Sequence, residues 1–305
     1  VATDHGLPRR RAPFDRRDRD AGTGLIAGLM TTNPRVSLVV PCFNEAPEIV
    51  RASLDSVRAQ TLADFECLVI DESTDAQRAL ACRQLCERDA RFIYVHPSER
   101  LGLARSLNLG ISRARGEFIA RFDSDDVCMP QRLAAQVAWL DAHPQAGVVG
   151  GALEIMDEDG TTLAFRHYPG THAAIARGMH MTTTIAHPTV MFRRELAGRH
   201  GTYDPDFRFS EDLDLWLRWL NAGVVFGNLP DMLVRYRQQN TRRHQDHWRF
   251  NLKARTRNFA GRHLLRRSVG ICGIALWSTL PASVQEGVFR SLLLKRRQSA
   301  KASPR

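Results

Sequence analysis

Apolar and polar positions along this chain follow two rhythms. Between residues 36 and 150, short apolar runs alternate with longer stretches of helical period. Val36–Pro41 is an apolar run that predicts a buried strand, and Ala46–Gln60 follows with Val50, Leu54 and Val57 at i, i+4 and i+7, the spacing of one helix face. The same alternation predicts strands over Phe65–Ile70, Arg91–Val95, Glu117–Phe122 and Ala146–Gly150. Helices fall between them at Thr74–Asp89, Gly102–Ala114 and Pro130–His143, the last opened by a proline at the position that suits it. Strands and helices alternating at this spacing predict an α/β fold, a mostly parallel, Rossmann-like sheet flanked by helices.

After Gly151 the rhythm changes. Ala152–Ile155 and Thr162–His167 read as a hairpin around Asp159-Gly160, followed by a helix over Ala173–His180 and a strand over Thr189–Arg193. A strongly amphipathic helix is predicted over Glu211–Asn221, with Leu213, Trp216, Leu217 and Leu220 on one face. Val224–Asn228 and Leu233–Arg237 read as short strands. Residues 1–34, rich in Arg, Asp, Gly and Pro without periodicity, read as a disordered arm. The expected organisation is that arm, one domain over 35–240 with halves at 35–150 and 151–240, and a helical basic C-terminal extension over 241–305.

Charge sharpens this picture. The net +10 of the 305 residues is uneven: 1–35 carry seven Arg against four Asp, and 236–305 carry sixteen Lys and Arg against Asp246 and Glu286. The segment between them is therefore acidic, which argues against nucleic acid as its partner and for a bound cation, while the tail suits an anionic surface. Within the tail, the apolar stretch Val269–Leu280 is well short of the ~20 residues that span a bilayer. Two readings stay open for it. One is a helix packed on the core; the other is a helix lying in the membrane interface, with Lys295-Arg296-Arg297 against headgroups. Six scattered cysteines and an Arg-rich start without a secretory pattern point to a reducing, cytoplasmic setting, with a peripheral seat on the inner membrane face as the second reading of the tail.

Three polar clusters fall at the carboxyl ends of predicted strands, where open α/β sheets bind their ligands. They are Pro41-Cys42-Phe43-Asn44-Glu45, Asp71-Glu72-Ser73-Thr74-Asp75 and Asp123-Ser124-Asp125-Asp126. Three carboxylates within four residues repel one another unless a cation or hydrogen-bond donors balance them. Hard oxygens suit Mg²⁺ or Mn²⁺, ions that keep positions open for substrate phosphates. A solvated acidic turn is the competing reading. Ser210-Glu211-Asp212-Leu213-Asp214, taken alone, reads as N-capping, with Ser210 as the cap and acids in the first turn. Arg235-Tyr236-Arg237 offers a guanidinium for bidentate grip on a diphosphate, or plain strand-edge polarity. His187-Pro188 is a turn or the wall of an acceptor pocket.

In order along the chain, these clusters are joined by Gly102-Leu103-Ala104-Arg105-Ser106-Leu107-Asn108-Leu109-Gly110-Ile111, by Gly116-Glu117-Phe118-Ile119 leading into the Asp cluster, by Met129-Pro130-x-Arg132-Leu133, by His187 to Arg193, and by Glu211-Asp212-x-Asp214-Leu215-Trp216. The set resembles glycosyltransferase family 2, with its GT-A fold, over about residues 36–240, and within it the bacterial surface-polysaccharide transferases. The resemblance implies inverting transfer from a nucleotide-sugar donor to a glycan or polyprenyl-linked acceptor, assisted by Mg²⁺ or Mn²⁺. By the same resemblance Pro41, Phe43 and Glu45 line the nucleotide pocket, with Asp71 and Glu72 near the base. Asp125 and Asp126 handle metal, ribose and diphosphate with support from Asp123. Asp212 is the catalytic base, Glu211 binds the acceptor or orients that base, and Arg237 holds the leaving diphosphate.

Two departures stand out. The family loop after the second strand usually reads Asp-Asp-Gly-Ser, whereas here Asp71-Glu72 runs directly into Ser73; and a His common after the late Tyr-Arg motif is Gln239 here, with His244 as a substitute. No Gln-x-x-Arg-Trp motif occurs, which favours single-sugar transfer over polymer extrusion. The alternatives are a nucleotidyltransferase, which should carry a Gly-rich basic loop after its first strand, and a non-catalytic nucleotide-sugar-binding protein, which has no need of Asp125, Asp126 and Asp212.

Overall fold

The computed structural model describes residues 33–238, 246–261, 263–280 and 284. The N-terminal arm up to residue 32, Gln239, His244 and Lys295-Arg296-Arg297 lie outside that set. The first half alternates as the pattern predicts. It runs β1 (Val36–Cys42), α1 (Pro47–Arg58), β2 (Phe65–Asp71), α2 (Ala76–Cys86), β3 (Phe92–Val95), α3 (Leu103–Arg113), β4 (Phe118–Arg121), β5 (Val127–Cys128) and α4 (Arg132–Ala142). The second half comprises β6 (Ala146–Met156), β7 (Thr162–Arg166), α5 (His172–Met179), a 3₁₀ turn at His187–Thr189, β8 (Met191–Arg193), α6 (Glu195–His200), α7 (Glu211–Asn221) and β9 (Val225–Arg237). Helices α8 (Asp246–Arg257) and α9 (Leu264–Ser278) follow.

The strands form one sheet in the order β3-β2-β1-β4-β8-β6-β9-β5, with β7 pairing to β6. Strands β3, β2, β1 and β4 are parallel neighbours, and β6 pairs parallel with β9. Strand β8 runs antiparallel between β4 and β6, so the sheet is mixed where its two halves join. Every residue of β1, β2 and β4 is buried, as strands covered on both faces require. Alternate residues of β1 serve opposite faces: Val36, Leu38 and Val40 pack with Val50, Leu54 and Val57 of α1, while Val39 packs with Leu107 and Ile111 of α3. The second face continues under α7, where Leu213, Trp216 and Leu217 meet Ile175, Phe192 and Phe226.

The structure corrects four local expectations. Gly150-Gly151 does not end a strand: β6 runs through it, because a Cβ on Gly150 would lie 2.5 Å from Asn228 Oδ1 and one on Gly151 would meet the Leu233 side chain. The two short strands expected around Pro230 are likewise one strand. Gly150 pairs with Asn228 and Ala152 with Met232, so Leu229, Pro230 and Asp231 bulge out opposite a single residue, where proline is tolerated. Pro130 precedes α4 rather than opening it, its neighbour Met129 accepting from Arg132 N at 3.0 Å. Ser210 does not cap α7 with its side chain; its hydroxyl is buried without a hydrogen-bond partner and its backbone is left-handed, with φ of 57°.

The turn into β4 depends on a close backbone approach. Gly116 N donates to Ser37 Oγ at 2.8 Å, and Ser37 Oγ donates to Glu66 Oε1 at 2.6 Å, tying the turn to β1 and β2. A Cβ on Gly116 would sit 2.5 Å from Ser37 N and 2.7 Å from the Val36 carbonyl carbon, both backbone atoms that cannot rotate away. Gly116→Ala is therefore expected to lower stability by about 1–3 kcal/mol, read as a lower urea midpoint with unchanged slope.

Candidate active site

The loops after β1 and β2 are locked together before any ligand arrives. Asn44 takes a left-handed backbone, with φ of 55°, and its Oδ1 accepts from the N–H groups of Thr74 and Asp75, each at 3.0 Å. Asn44 N donates to Ser73 Oγ at 2.8 Å. Asp75 in turn caps α2, accepting from Gln77 N and Arg78 N. Pro41 is buried, Phe43 and Glu45 are half-buried, and the Arg100 guanidinium lies 3.8 Å from the Phe43 ring centroid.

Asp71 and Glu72 have structural duties that the resemblance did not suggest. Asp71 has no solvent exposure; its oxygens accept from Ser73 N at 3.0 Å and from Tyr94 OH at 2.9 Å. Glu72 accepts from Leu101 N at 2.8 Å, Gly102 N at 2.7 Å and Ser106 Oγ at 3.1 Å. It stands where a capping residue would, because Gly102, the residue before α3, has no side chain to cap with. A carboxylate at a helix N-terminus is stabilising, which accounts for the longer acid in the shortened loop. Both carboxylates are buried behind these bonds.

At the end of β4, Asp123, Asp125 and Asp126 converge so that one oxygen of each lies within 4.8 Å of the others. Asp126 is buried; its Oδ1 accepts from Arg237 N at 2.7 Å, and its Oδ2 has no hydrogen-bond partner. Burial first and Asp123 second push the Asp125 carboxyl up to about 7, and burial with its two neighbours pushes Asp126 well above the carboxylate range. Glu45 is raised too, by burial and then by Asp123. An orphaned, buried carboxylate oxygen beside two more carboxylates fits Mg²⁺ or Mn²⁺. The Arg237 side chain, expected on the diphosphate, is engaged elsewhere: it donates to the carbonyls of Asp125 at 2.9 Å, Asp157 at 3.3 Å and Glu158. It pins the Asp loop to the β6–β7 turn.

Across from this loop lies the start of α7. Glu211 is buried, with Oε1 3.9 Å from His187 Nδ1, and His187 Nε2 is 2.8 Å from the hydroxyl of the buried Tyr203. Burial holds the His187 imidazole neutral. Glu211 is pushed up to about 8 by burial and then by Asp212, and the charge of Asp123 also reaches it. Asp212 is half-buried and accepts from Leu213 N at 2.7 Å. The acids of the Asp loop and of α7 therefore share one electrostatic site. Beside Asp123 lies Arg121, a buried cation in ion-pair contact with it. Sequence reasoning passed over Arg121 and Tyr203. An arginine inside the apolar run Phe118–Phe122 was the available signal for the first; nothing marked Tyr203.

Comparison with known proteins identifies the fold and the family. The structure resembles that of the mannosyltransferase PcManGT from Pyrobaculum calidifontis in complex with GDP-Man and Mn²⁺, with a TM-score of 0.58 and 20% identity, covering 88% of this chain and 83% of that one. It also resembles S. aureus TarS 1–349 in complex with UDP-GlcNAc, with a TM-score of 0.60 and 17% identity, covering 79% and 71% of the two chains. The fold is thus that of the GT-A glycosyltransferases. The sequence model of Glycosyl transferase family 2 matches residues 37–201. The O-antigen biosynthesis glycosyltransferase WbnJ of Escherichia coli is 31% identical over 205 residues, 66% of this chain and 79% of that protein. The amylovoran biosynthesis glycosyltransferase AmsE of Erwinia amylovora is 29% identical over 202 residues, 66% and 75% of the two. The chain belongs to glycosyltransferase family 2, among relatives that build bacterial polysaccharides. The nucleotidyltransferase and non-catalytic readings find no support.

Glu211 provides a test by linkage. Its folded value of about 8 lies above the 4.5 of a free side chain, so the fold binds more protons than the unfolded chain between these limits. The stability this gives is present below about pH 4.5 and is lost as pH rises through 8. Glu211→Gln should melt with the wild type at pH 5 and several degrees above it at pH 9, read by differential scanning fluorimetry; equal melting at both pH values would contradict the buried neutral acid.

Proposed function

We propose that this enzyme is an inverting, divalent-cation-dependent transferase that moves one sugar from a nucleotide diphosphate sugar to a glycan or polyprenyl-linked acceptor. The observation that carries this reading is the unpartnered, buried Asp126 Oδ2 within the Asp123–Asp126 group, opposite Glu211-Asp212. Residues 35–150 serve the donor and 151–240 the acceptor. Pro41, Phe43 and Glu45 line the nucleotide pocket, and Asp71 and Glu72 brace its loops. Asp125 and Asp126 hold Mg²⁺ or Mn²⁺, with Asp123 in support. The bound ion supplies positive charge opposite the diphosphate as it leaves.

The two acids of α7 divide the acceptor chemistry between them. Glu211, with a value of about 8, keeps its proton at neutral pH and is a hydrogen-bond donor toward the acceptor. Asp212 is the base: it takes the proton of the acceptor hydroxyl while that oxygen attacks the anomeric carbon and the bond to the diphosphate breaks on the opposite side. A single in-line displacement inverts the anomeric centre. Arg237 contributes by fixing the Asp loop.

Asp212→Asn should keep metal-dependent donor binding while transfer falls by at least a thousandfold, and Asp126→Ala should abolish the thermal shift produced by nucleotide sugars with Mn²⁺. A screen of nucleotide sugars with and without Mn²⁺ identifies the donor. Wild-type transfer by Asp212→Asn would remove it as the base.

The reading extends to a peripheral seat on the inner membrane face. Among the described residues no helix is long and apolar enough to cross a membrane. Helix α9 packs inward through Arg267, which donates to Asn258 O at 2.6 Å, and through Gly270, which abuts the His180 carbonyl. Outward it shows Leu265, Val269, Cys272 and Leu276 at i, i+4, i+7 and i+11, an exposed apolar stripe preceding the basic segment 290–305. The inward face supports packing on the domain, and the exposed stripe supports the membrane seat. Replacing Leu265 and Leu276 with Asp should cut sedimentation with anionic vesicles at least fivefold without changing the melting temperature; unaltered sedimentation would exclude the seat.

A further inference from the structure

We propose that Arg121 is a positioning residue for the transfer reaction, a fixed counter-charge that holds the Asp123 carboxylate of the Asp123–Asp126 group. The inference rests on the transferase reading and assigns a role to a group that reading does not use. Arg121 ends β4 with its side chain only 6% exposed. Its backbone is held on both sides: its N–H donates to Val190 O at 2.9 Å, and its carbonyl accepts from Arg132 Nη2 at 2.6 Å. Nη1 makes the ion pair with Asp123 Oδ2, while Nε is buried without a hydrogen-bond partner.

That arrangement is a poor one for stability alone. A buried ion pair rarely outdoes an apolar pair of the same volume, and one with an unsatisfied Nε–H is worse. It is a good arrangement for the site. Its charge lies against Asp123, whose carboxylate converges with those of Asp125 and Asp126 to within 4.8 Å. By occupying one oxygen of Asp123, it also fixes how that carboxylate is presented to a cation. It does so at a cost in cation affinity, because its own charge repels the ion.

Opposite effects on binding and on turnover follow, and a merely structural residue would not produce them. With the full chain, Mn²⁺ affinity is measured first by electron paramagnetic resonance titration without donor. Arg121→Met should bind Mn²⁺ about tenfold tighter, since a unit positive charge next to the ion is gone. In transfer assays its kcat should fall at least tenfold with donor KM changed less than threefold. Arg121→Lys, which keeps the charge without the fork, should return Mn²⁺ affinity to within about twofold of wild type and recover part of kcat. If Arg121→Met does not fold, the Lys variant carries the test, and a tenfold change in its Mn²⁺ affinity would overturn the assignment. Unchanged or weakened Mn²⁺ binding by Arg121→Met, or wild-type kcat, would also overturn it. A wild-type chain that transfers no sugar, with the Mn²⁺ shift intact in Arg121→Met, would sink the transferase reading and leave the counter-charge standing.

Discussion

Mutual repulsion among Asp123, Asp125 and Asp126 is the constraint around which this domain is arranged. Three carboxylates drawn within 4.8 Å, one of them buried, oppose folding unless other groups restrain them. The restraints come from distant parts of the chain. Arg121 lies beside Asp123, and the Arg237 backbone N–H donates to Asp126 from the far end of β9. The Arg237 guanidinium then ties the Asp125 carbonyl to the β6–β7 turn, so the loop cannot relax outward. One buried oxygen, Asp126 Oδ2, is left without a partner, so the repulsion is contained but not cancelled. What remains is a site shaped for a cation.

The same need explains why β6 and β9 are longer than their sequence suggests. Arg237 reaches the Asp loop only because β9 continues past its bulge at Leu229, Pro230 and Asp231, alongside β6. Read locally, Gly150-Gly151 and Pro230 are chain breakers. Glycine marks a turn and a close approach with the same letter, and only the neighbouring Asn228 and Leu233 reveal which one applies. By contrast, β1, β2, α1 and α7 were legible, since their apolar period is a property of the segment itself. The short β5 and α6 have too few residues to show any period.

The site was legible to the same degree and for the same reason. Clusters such as Asp123–Asp126 and Glu211-Asp212 lie within a few residues, and the structure brings both into one field. Roles that depend on a distant partner were not legible. Glu72 and Arg237 carry charges suited to a nucleotide or a diphosphate, yet Glu72 caps α3, 30 residues on, and Arg237 grips carbonyls about 80 and 112 residues away. Ser210 has the right side chain for a cap, but a left-handed backbone turns it out of that role. Strain of this kind persists where surrounding structure demands it, and here it directly precedes Glu211 and Asp212.

That placement bears on which acid does the chemistry. Two adjacent carboxylates at one helix N-terminus would share the favourable dipole almost equally if both faced water. They do not share their surroundings: Glu211 is enclosed beside neutral His187, while Asp212 stays half-exposed with the Leu213 N–H donating to it. Burial therefore raises Glu211 well beyond the small difference between a free Asp and a free Glu, which suits it to hold its proton. His187 is part of that separation. Held to Tyr203 on one side and facing Glu211 on the other, it stays neutral and gives Glu211 no positive partner. A cationic histidine there would pull the Glu211 proton off and erase the distinction between the two acids. The buried histidine before β8, which its sequence neighbours leave as a turn or the wall of an acceptor pocket, thus helps Glu211 keep its proton.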